Sequence, residues 1–106
     1  MTDVKMLTVE EFDAQLAAGG WMLCDFFADW CGPCKRMAPV VERLAEAFDG
    51  RVTVAKVNVD DAPELAERYG IQSIPMLILF HDGEATADYI GVRSFEELEG
   101  ALNAQL

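Results

Sequence analysis

The sequence predicts an α/β domain with one mixed five-stranded sheet flanked by four helices. Short apolar runs alternate with helical patterns in the order βαβαβ, then α, then ββα. The first half of this order is typical of parallel strands joined by right-handed crossovers, and an Asp-Gly turn in the second half predicts an antiparallel hairpin. With 106 residues, the chain has the size of one domain, so we expect a single domain over residues 1–106.

The first two elements are a short strand at about 4–7 and a helix that begins at Thr8. Thr8 and Glu11 have the spacing of a capping box, in which each side chain bonds the other residue's backbone N–H. Apolar residues then follow at helical spacing. Gly19 and Gly20 are expected to end this helix, because glycine adopts the backbone conformation of a helix end at little cost.

The centre of the chain predicts a strand, a long helix and a second strand. The run 21–28 is almost continuously apolar, which is typical of a strand buried on both faces. A helix then extends over about 31–50, with Pro33 in its first turn, where a missing N–H costs little. Pro39 lies inside this helix and is expected to kink it. The next strand covers 52–59.

A short helix and a hairpin follow. Asp61 with Glu64 predicts a capped start for the helix, which is expected to end near Gly70. The apolar run 76–80 predicts a strand, and the segment His81–Gly83 carries the Asp-Gly signal of a hairpin turn.

The last two elements are a strand at about 84–90 and a C-terminal helix. Ser94 and Glu97 again have the spacing of a capping box. One face of the helix is expected to bury an apolar stripe. The stripe consists of Phe95, Leu98, Leu102 and Leu106.

Charge and composition restrict the possible partners and the location. The formal net charge is −11, which repels nucleic acid and anionic membranes, so we expect neither as a partner. The N-terminal residues lack the basic start and apolar run of a secretory signal, and no run is long enough to span a membrane. We therefore expect a cytoplasmic protein.

The two cysteines at positions 31 and 34 frame Gly32 and Pro33 where the second strand meets the long helix. Residues three apart on a helix share a face, so the two sulfurs can meet. Cys31 lies at the helix N-terminus, where free N–H groups, the helix dipole and nearby Lys35 favour a thiolate. We expect Cys31 to be the exposed thiol that attacks and Cys34 the inner thiol that resolves.

Three interpretations of this pair remain open from the residues alone: a metal clip, a structural staple and a redox couple. A zinc site needs four ligands, and the chain adds only Cys24 and His81, so we expect no metal. A staple that closes so short a loop restricts the unfolded chain little. In a reducing compartment, a cysteine pair is more often catalytic or metal-binding than part of a disulfide framework.

The motif WCGPCK, preceded by an apolar strand with an acid six residues before the first cysteine, resembles the thioredoxin family. TVAKVNVD, YGIQSIPMLILF, the DGE turn and YIGV resemble segments of that family in the same order, so the resemblance covers nearly the whole chain. It implies the thioredoxin fold and a protein-disulfide reductase that maintains reduced protein thiols and redox homeostasis. It implies no bound cofactor, because the cysteine pair carries the electrons.

The resemblance also implies roles at the motif. Cys31 would form a mixed disulfide with a client, and Cys34 would release the client and leave an oxidised Cys31–Cys34 pair. Gly32, Pro33 and Lys35 would tune the thiol pKa and the reduction potential. The Gly-Pro dipeptide is similar to that of reducing members, whereas oxidising relatives tend to carry a histidine there.

Asp25 is the acid within the apolar strand. By strand alternation it is expected to be buried, where an unpaired carboxylate tends to keep its proton. The resemblance implies that Asp25 accepts the proton of Cys34 and that Lys56, on the neighbouring strand, is its partner. The alternative is that Asp25 lies partly solvated at the strand end.

A docking surface for the client is a further implication. In this family a cis-proline loop, matched here by Ile74-Pro75, lies beside the cysteines and pairs with an extended client segment. The expected surface consists of Trp30, Ile74, Pro75, Ile90, Gly91 and Val92.

Three residues depart from the family pattern. Phe27 stands where a second tryptophan is common, Met76 follows the proline where a threonine is common, and Arg36 follows the lysine. Cys24 is expected to be a small buried strand residue.

The partners implied are disulfide-containing client proteins and a thioredoxin reductase, and we expect the chain to act as a monomer. Two alternatives remain. The chain could be a binding or assembly subunit that uses the docking surface and not the thiols, or an oxidase or isomerase of the same fold.

Overall fold

The computed structural model describes residues 3–106, which form five strands and four helices in the predicted order. In chain order these elements are β1 (Lys5–Met6), α1 (Val9–Ala18), β2 (Trp21–Phe27), α2 (Gly32–Ala47), β3 (Thr53–Asn58), α3 (Pro63–Arg68), β4 (Met76–His81), β5 (Glu84–Ile90) and α4 (Phe95–Gln105).

The strands form one sheet in the order β1-β3-β2-β4-β5. The β1–β3 and β2–β3 pairs are parallel, whereas β2–β4 and β4–β5 are antiparallel. The predicted mixed sheet is therefore confirmed. Because β2 lies at the centre, the segment that follows it is held between the ends of two neighbouring strands.

Alternate residues of β2 feed two separate apolar cores. On one face, α1 and α3 pack on the sheet, and Phe12 is fully buried in edge-to-face contact with Phe80, at 5.4 Å between ring centroids. On the other face, α2 and α4 pack on the sheet, where Leu23 lies in one cluster with Met37 and Leu98. The two helical layers confirm the predicted architecture.

The helix starts follow the capping predictions in part. The Glu11 backbone N–H donates to Thr8 Oγ1 at 3.1 Å, and the Thr8 N–H donates to Glu11 Oε1 at 3.0 Å, so this capping box is complete. At α4, the N–H of Glu97 donates to Ser94 Oγ at 3.1 Å. The predicted cap of α3 by Asp61 is wrong. The residue before the helix is Ala62, which makes no side-chain cap bond, because Pro63 takes the first helical position.

The hairpin turn is shorter than predicted. His81 is the last residue of β4, and its ring stacks on Trp21 at 4.0 Å. The turn itself consists of Asp82 and Gly83, whose φ angles of 51° and 87° are those that an Asp-Gly turn supplies. Asp82 Oδ1 also accepts a hydrogen bond of 2.7 Å from the Gly20 N–H, which ties the hairpin to the start of β2.

Two expectations concern the long helix and the C-terminus. α2 continues through Pro39, and the predicted kink stays a prediction. Leu106 does not belong to the buried stripe of α4: the helix ends at Gln105, and Leu106 is 37% exposed.

Within residues 3–106, no helix combines the length and the apolar character needed to cross a membrane.

Candidate active site

The cysteine pair lies at the N-terminus of α2, directly after the central strand. Cys31 is the N-cap residue, with an extended backbone, and its Sγ accepts a hydrogen bond of 3.2 Å from the Cys34 N–H. Cys31 and Cys34 form a disulfide with their Cα atoms 5.2 Å apart. The prediction that the two sulfurs meet across one helical turn is confirmed.

The predicted difference in exposure between the two cysteines is wrong for this disulfide state. Both residues are 4% exposed. Cys31 packs with Ala28 and Ile74, and its Sγ lies 3.9 Å from the Ile74 carbonyl oxygen. The two cysteines therefore do not differ in exposure. They differ in position, because the Cys31 sulfur accepts a hydrogen bond from a free N–H group at the helix start. The loop at Ile74 covers the Cys31 sulfur.

The loop at Ile74-Pro75 and the end of β5 meet beside Cys31. The Ile74-Pro75 peptide bond is cis, and the Gly91 N–H donates to the Pro75 carbonyl oxygen at 2.9 Å. Pro75 is buried and Ile74 is half-buried. The flanking apolar side chains are open to solvent: Trp30 is 71% exposed, Ile90 51% and Val92 48%.

Asp60 is a site residue that the sequence reasoning missed. Its Oδ2 accepts a hydrogen bond of 2.8 Å from the Trp30 Nε1–H. The Asp60 N–H in turn donates to Oδ1 of Asn58 at 2.9 Å, and Asn58 is only 7% exposed. The parallel pairing of β2 and β3 was a usable signal, since residues that follow two adjacent parallel strands meet at one edge of the sheet.

Asp25 is buried as predicted. It is 5% exposed, and its Oδ1 has no hydrogen-bond donor among the residues that the structure describes. Burial raises the pKa of the Asp25 carboxyl to about 7, against an opposing effect of the Lys56 ammonium. Lys56 stands opposite Asp25 in the β2–β3 register and is half-buried.

A cavity of about 340 Å³ connects Asp25 with the inner cysteine, and we call it the cysteine-side cavity. Its lining includes Asp25, Cys34, Lys35 and Lys56. Phe27 also lines it, with the Lys56 Nζ 5.8 Å from the centre of the Phe27 ring. The cavity is large enough to admit water. Asp25 and Cys34 thus face one common space, as a proton transfer between them requires.

Other candidate residues lie away from this chemistry. Cys24 is fully buried on the α1/α3 face, as predicted, and burial raises the pKa of its thiol well above the usual range. Met76 is 8% exposed and belongs to the same core. In the part of the chain from 3 to 106, no three His, Cys, Asp or Glu side chains are grouped so that they could hold a metal ion.

Comparison with known proteins shows which family has this sequence. The sequence model of the family described as Thioredoxin matches residues 3–104. The chain belongs to the thioredoxin family. The thioredoxin of Chlamydia caviae is 46% identical over 100 residues, which cover 94% of this chain and 96% of that protein. That of Alicyclobacillus acidocaldarius is 48% identical over 96 residues, or 91% of both chains. That of Staphylococcus epidermidis is 42% identical over 100 residues, or 94% of this chain and 95% of its own.

The family identifies the reaction that this site catalyses. The chain is a thiol–disulfide oxidoreductase, and it acts as a protein-disulfide reductase by dithiol–disulfide exchange through Cys31 and Cys34. Its substrates are disulfides, and a thioredoxin reductase recycles the oxidised pair.

Proposed function

We propose that Cys31 is the nucleophile of this reductase and Cys34 the resolving thiol. The observation that carries the proposal is the N-cap position of Cys31, where the Cys34 N–H points at Sγ from 3.2 Å. A free N–H and the positive end of the helix dipole stabilise a thiolate, and Lys35 in the first turn adds positive charge. Gly32 and Pro33 leave the first turn open and exposed, so a client sulfur can approach.

The exchange then proceeds in two steps. The Cys31 thiolate attacks one sulfur of the client disulfide and forms a mixed disulfide, while the other client sulfur leaves as a thiolate and takes a proton from solvent. Cys34 gives up its proton and attacks the Cys31 Sγ, which releases the second client thiolate. Two electrons pass to the client, and the Cys31–Cys34 pair is left oxidised.

Asp25 is proposed as the acceptor of the Cys34 proton, with Lys56 as its electrostatic partner. Both residues line the cysteine-side cavity together with Cys34. A carboxyl with a pKa of about 7 is partly ionised at neutral pH, so it can take a proton and return it to solvent. A carboxyl at the usual pKa would hold the proton too weakly for this purpose.

The client is proposed to dock on the apolar surface around Cys31. Trp30, Ile90 and Val92 supply large apolar side chains that are exposed to solvent, and an exposed apolar patch is typical of a protein interaction site. Ile74 borders Cys31, and the backbone at Ile74-Pro75 can pair with an extended client segment. Gly91 leaves space beside it, since it carries no side chain.

We further propose that the chain is a single domain over residues 1–106 and acts in the cytoplasm as a monomer on client proteins. Two apolar cores share the one central sheet, which supports a single folding unit. A reducing compartment keeps the regenerated cysteine pair in the thiol form.

Two substitutions test the assignment of the thiols. Cys31→Ser should abolish the reduction of a disulfide-containing protein in an assay coupled to a thioredoxin reductase. Cys34→Ser should still attack the client and accumulate a mixed disulfide, which mass spectrometry detects. Full biological activity of the Cys31→Ser protein would instead favour an assembly subunit that uses only the docking surface.

The reduction potential separates a reductase from an oxidase or isomerase. Equilibration of the Cys31–Cys34 pair with glutathione should give a value on the reducing side of isomerases. A potential of about −180 mV or higher, in the range of isomerases and oxidases, would contradict the reductase assignment.

A further inference from the structure

A second cavity adjoins Asp25 on the side away from the cysteines, and we call it the acidic cleft. It has a volume of about 410 Å³. Asp25, Ala38 and Lys56 line both this cleft and the cysteine-side cavity, so the two spaces share a wall. Asp25 therefore borders two different openings, and its chemistry with Cys34 uses only one of them.

Three exposed carboxylates lie at the outer part of the acidic cleft. Glu42 and Glu46 are four residues apart on α2 and so lie on the same helix face, and Asp3 comes from the N-terminal segment. They are not grouped in a way that could hold a metal ion. Among residues 3–106, Lys56 is the only cationic residue in the lining.

The buried side chain at the inner end of the cleft is Asp25, and its surroundings indicate a role in proton exchange. The Asp25 residue is only 5% exposed, and its Oδ1 lacks a hydrogen-bond donor among residues 3–106. An unpartnered buried carboxyl is costly unless it is protonated or reached by water. A neighbouring space lined by polar groups provides that access.

A bound client would cover only one of the two openings. The cysteine-side cavity includes Asp29, Lys35 and Cys34, all within four residues of Cys31, to which the client is bonded. The acidic cleft opens beside Glu42 and Glu46, about three and four helical turns beyond Cys31. The cleft therefore gives the proton that Asp25 takes from Cys34 an exit that does not pass the client.

We propose that Asp25 exchanges its proton with solvent through the acidic cleft, and that Glu42 and Glu46 are positioning residues for this exchange. This inference rests on the proposed role of Asp25 as the proton acceptor. In the step, one proton passes from the Cys34 sulfur to the Asp25 carboxylate and then to water in the cleft, and no electrons move. Glu42 and Glu46 act through their negative field, which favours the protonated carboxyl.

Several other titratable groups surround Asp25 on the elements packed around it. Cys34, Lys35 and Asp29 lie on the cysteine side, Lys56 is on β3, and the thiol of Cys24 precedes Asp25 on β2. The residue opposite Asp25 on β4 is Leu77, which is uncharged. Glu42, Glu46 and Asp3 are thus the groups that distinguish the cleft side, and substitution of the two glutamates isolates their effect.

The first experiment compares two double variants with equal net charge. Glu42→Gln with Glu46→Gln removes two charges from the cleft, and Glu67→Gln with Glu84→Gln removes two exposed charges elsewhere. We expect the apparent pKa in the rate of mixed-disulfide resolution by Cys34 to fall by about 0.3 or more in the cleft variant only, as expected for charges near a group in a water-like dielectric. A shift no larger than that of the control variant would overturn the inference.

The second experiment measures the access of Asp25 to water in the presence of a client. In Cys34→Ser, Cys31 is linked to a small folded protein with a single surface cysteine, and the ¹³C signal of the Asp25 carboxyl is titrated. Because the cleft stays open, we expect the pKa to rise by less than one unit relative to the unlinked Cys34→Ser protein. A rise of one unit or more would mean that the linked client separates Asp25 from water although the acidic cleft is uncovered, and it would overturn the inference.

The role of Asp25 and the role of the acidic cleft can be distinguished by experiment. If Asp25→Asn leaves the pH profile of the Cys34 step unchanged, the proposed role of Asp25 is wrong. If Asp25→Asn removes the transition near pH 7 while both glutamate double variants show the same apparent pKa, Asp25 is the proton acceptor. In that case only the proposed role of the acidic cleft is wrong.

Discussion

Asp25 and Lys56 stand directly opposite each other in the parallel register of β2 and β3, yet the buried Oδ1 of Asp25 has no donor among the described residues. The ammonium lowers the pKa of Asp25, but burial raises it more, and the balance is a value of about 7. At neutral pH the Asp25 carboxyl is therefore partly protonated and does not form a permanent ion pair with Lys56, since a tight ion pair would hold the carboxylate ionised.

Asp25 should make the stability of the fold depend on pH. Its pKa rises from 3.8 to about 7 on folding, so the folded state holds a proton that the unfolded state releases between these values. The free energy of unfolding should therefore fall as pH rises through this window, by about 4 kcal/mol in all, at about 1.4 kcal/mol per pKa unit. In denaturant unfolding of the oxidised protein, the advantage of Asp25→Asn over wild type should grow by about this amount from pH 4 to pH 8.

The control for this measurement is Asp88→Asn, which alters an exposed carboxyl on β5. Its difference from wild type should not grow across the upper part of the window, from pH 5 to pH 8. A stability difference for Asp25→Asn that is independent of pH would mean that Asp25 is ionised in the folded protein, and would contradict the raised pKa.

Asp60 should orient Trp30 for client proteins. Asp60→Ala removes the acceptor of the 2.8 Å bond from the indole, which is worth about 1 kcal/mol, and leaves the 71% exposed ring free to turn. We expect KM for a protein disulfide to rise about threefold to fivefold, which is the factor that a loss of about 1 kcal/mol in binding produces. We expect kcat to change little. The rate with a small aromatic disulfide, which needs no docking surface, should stay the same.

Asp61→Ala is the matched control, because Asp61 is the next residue, is also an exposed acid, and makes no side-chain hydrogen bond within residues 3–106. Equal effects of the two substitutions on KM would mean that the local charge matters and not the bond to the indole.

Cys24 should resist alkylation in the folded, reduced protein. It is fully buried, and burial raises its thiol pKa, so both access and thiolate fraction are low. Treatment with iodoacetamide at pH 8, followed by peptide mass spectrometry, should leave Cys24 unmodified while Cys31 is modified. The same treatment in denaturant should modify all three cysteines, and modification of Cys24 at a comparable rate in the native protein would disprove its inert burial.

The two helix caps should differ in strength. Thr8 and Glu11 exchange two hydrogen bonds, whereas Ser94 accepts one. Thr8→Ala should lower the free energy of unfolding by about 1–2 kcal/mol and Ser94→Ala by about 0.5–1 kcal/mol, within the range known for N-caps. Ser73→Ala, at an exposed loop position, should change stability little. A larger loss for Ser94→Ala than for Thr8→Ala would contradict the assignment.

Most of the fold was predictable because its signals are local. The apolar runs, the glycines at helix ends and the box at Thr8 depend on spacings of a few residues, and the structure confirms them. The prediction failed at α3, where Asp61 and Pro63 both offered a start and the proline prevailed. It also failed at His81, which β4 keeps as its last residue through a stack on Trp21, a contact between residues 60 positions apart.

By itself, the sequence determined the α/β layout and the meeting of Cys31 and Cys34 across one helical turn, since helix periodicity alone brings such residues together. Only the tertiary structure decided what surrounds that pair. The Ile74 carbonyl comes within 3.9 Å of Cys31 from 43 positions away, and Asp60 reaches Trp30 from 30 positions away. The raised pKa of Asp25 and its acidic cleft likewise depend on which distant side chains exclude water, a property of packing that no local spacing specifies.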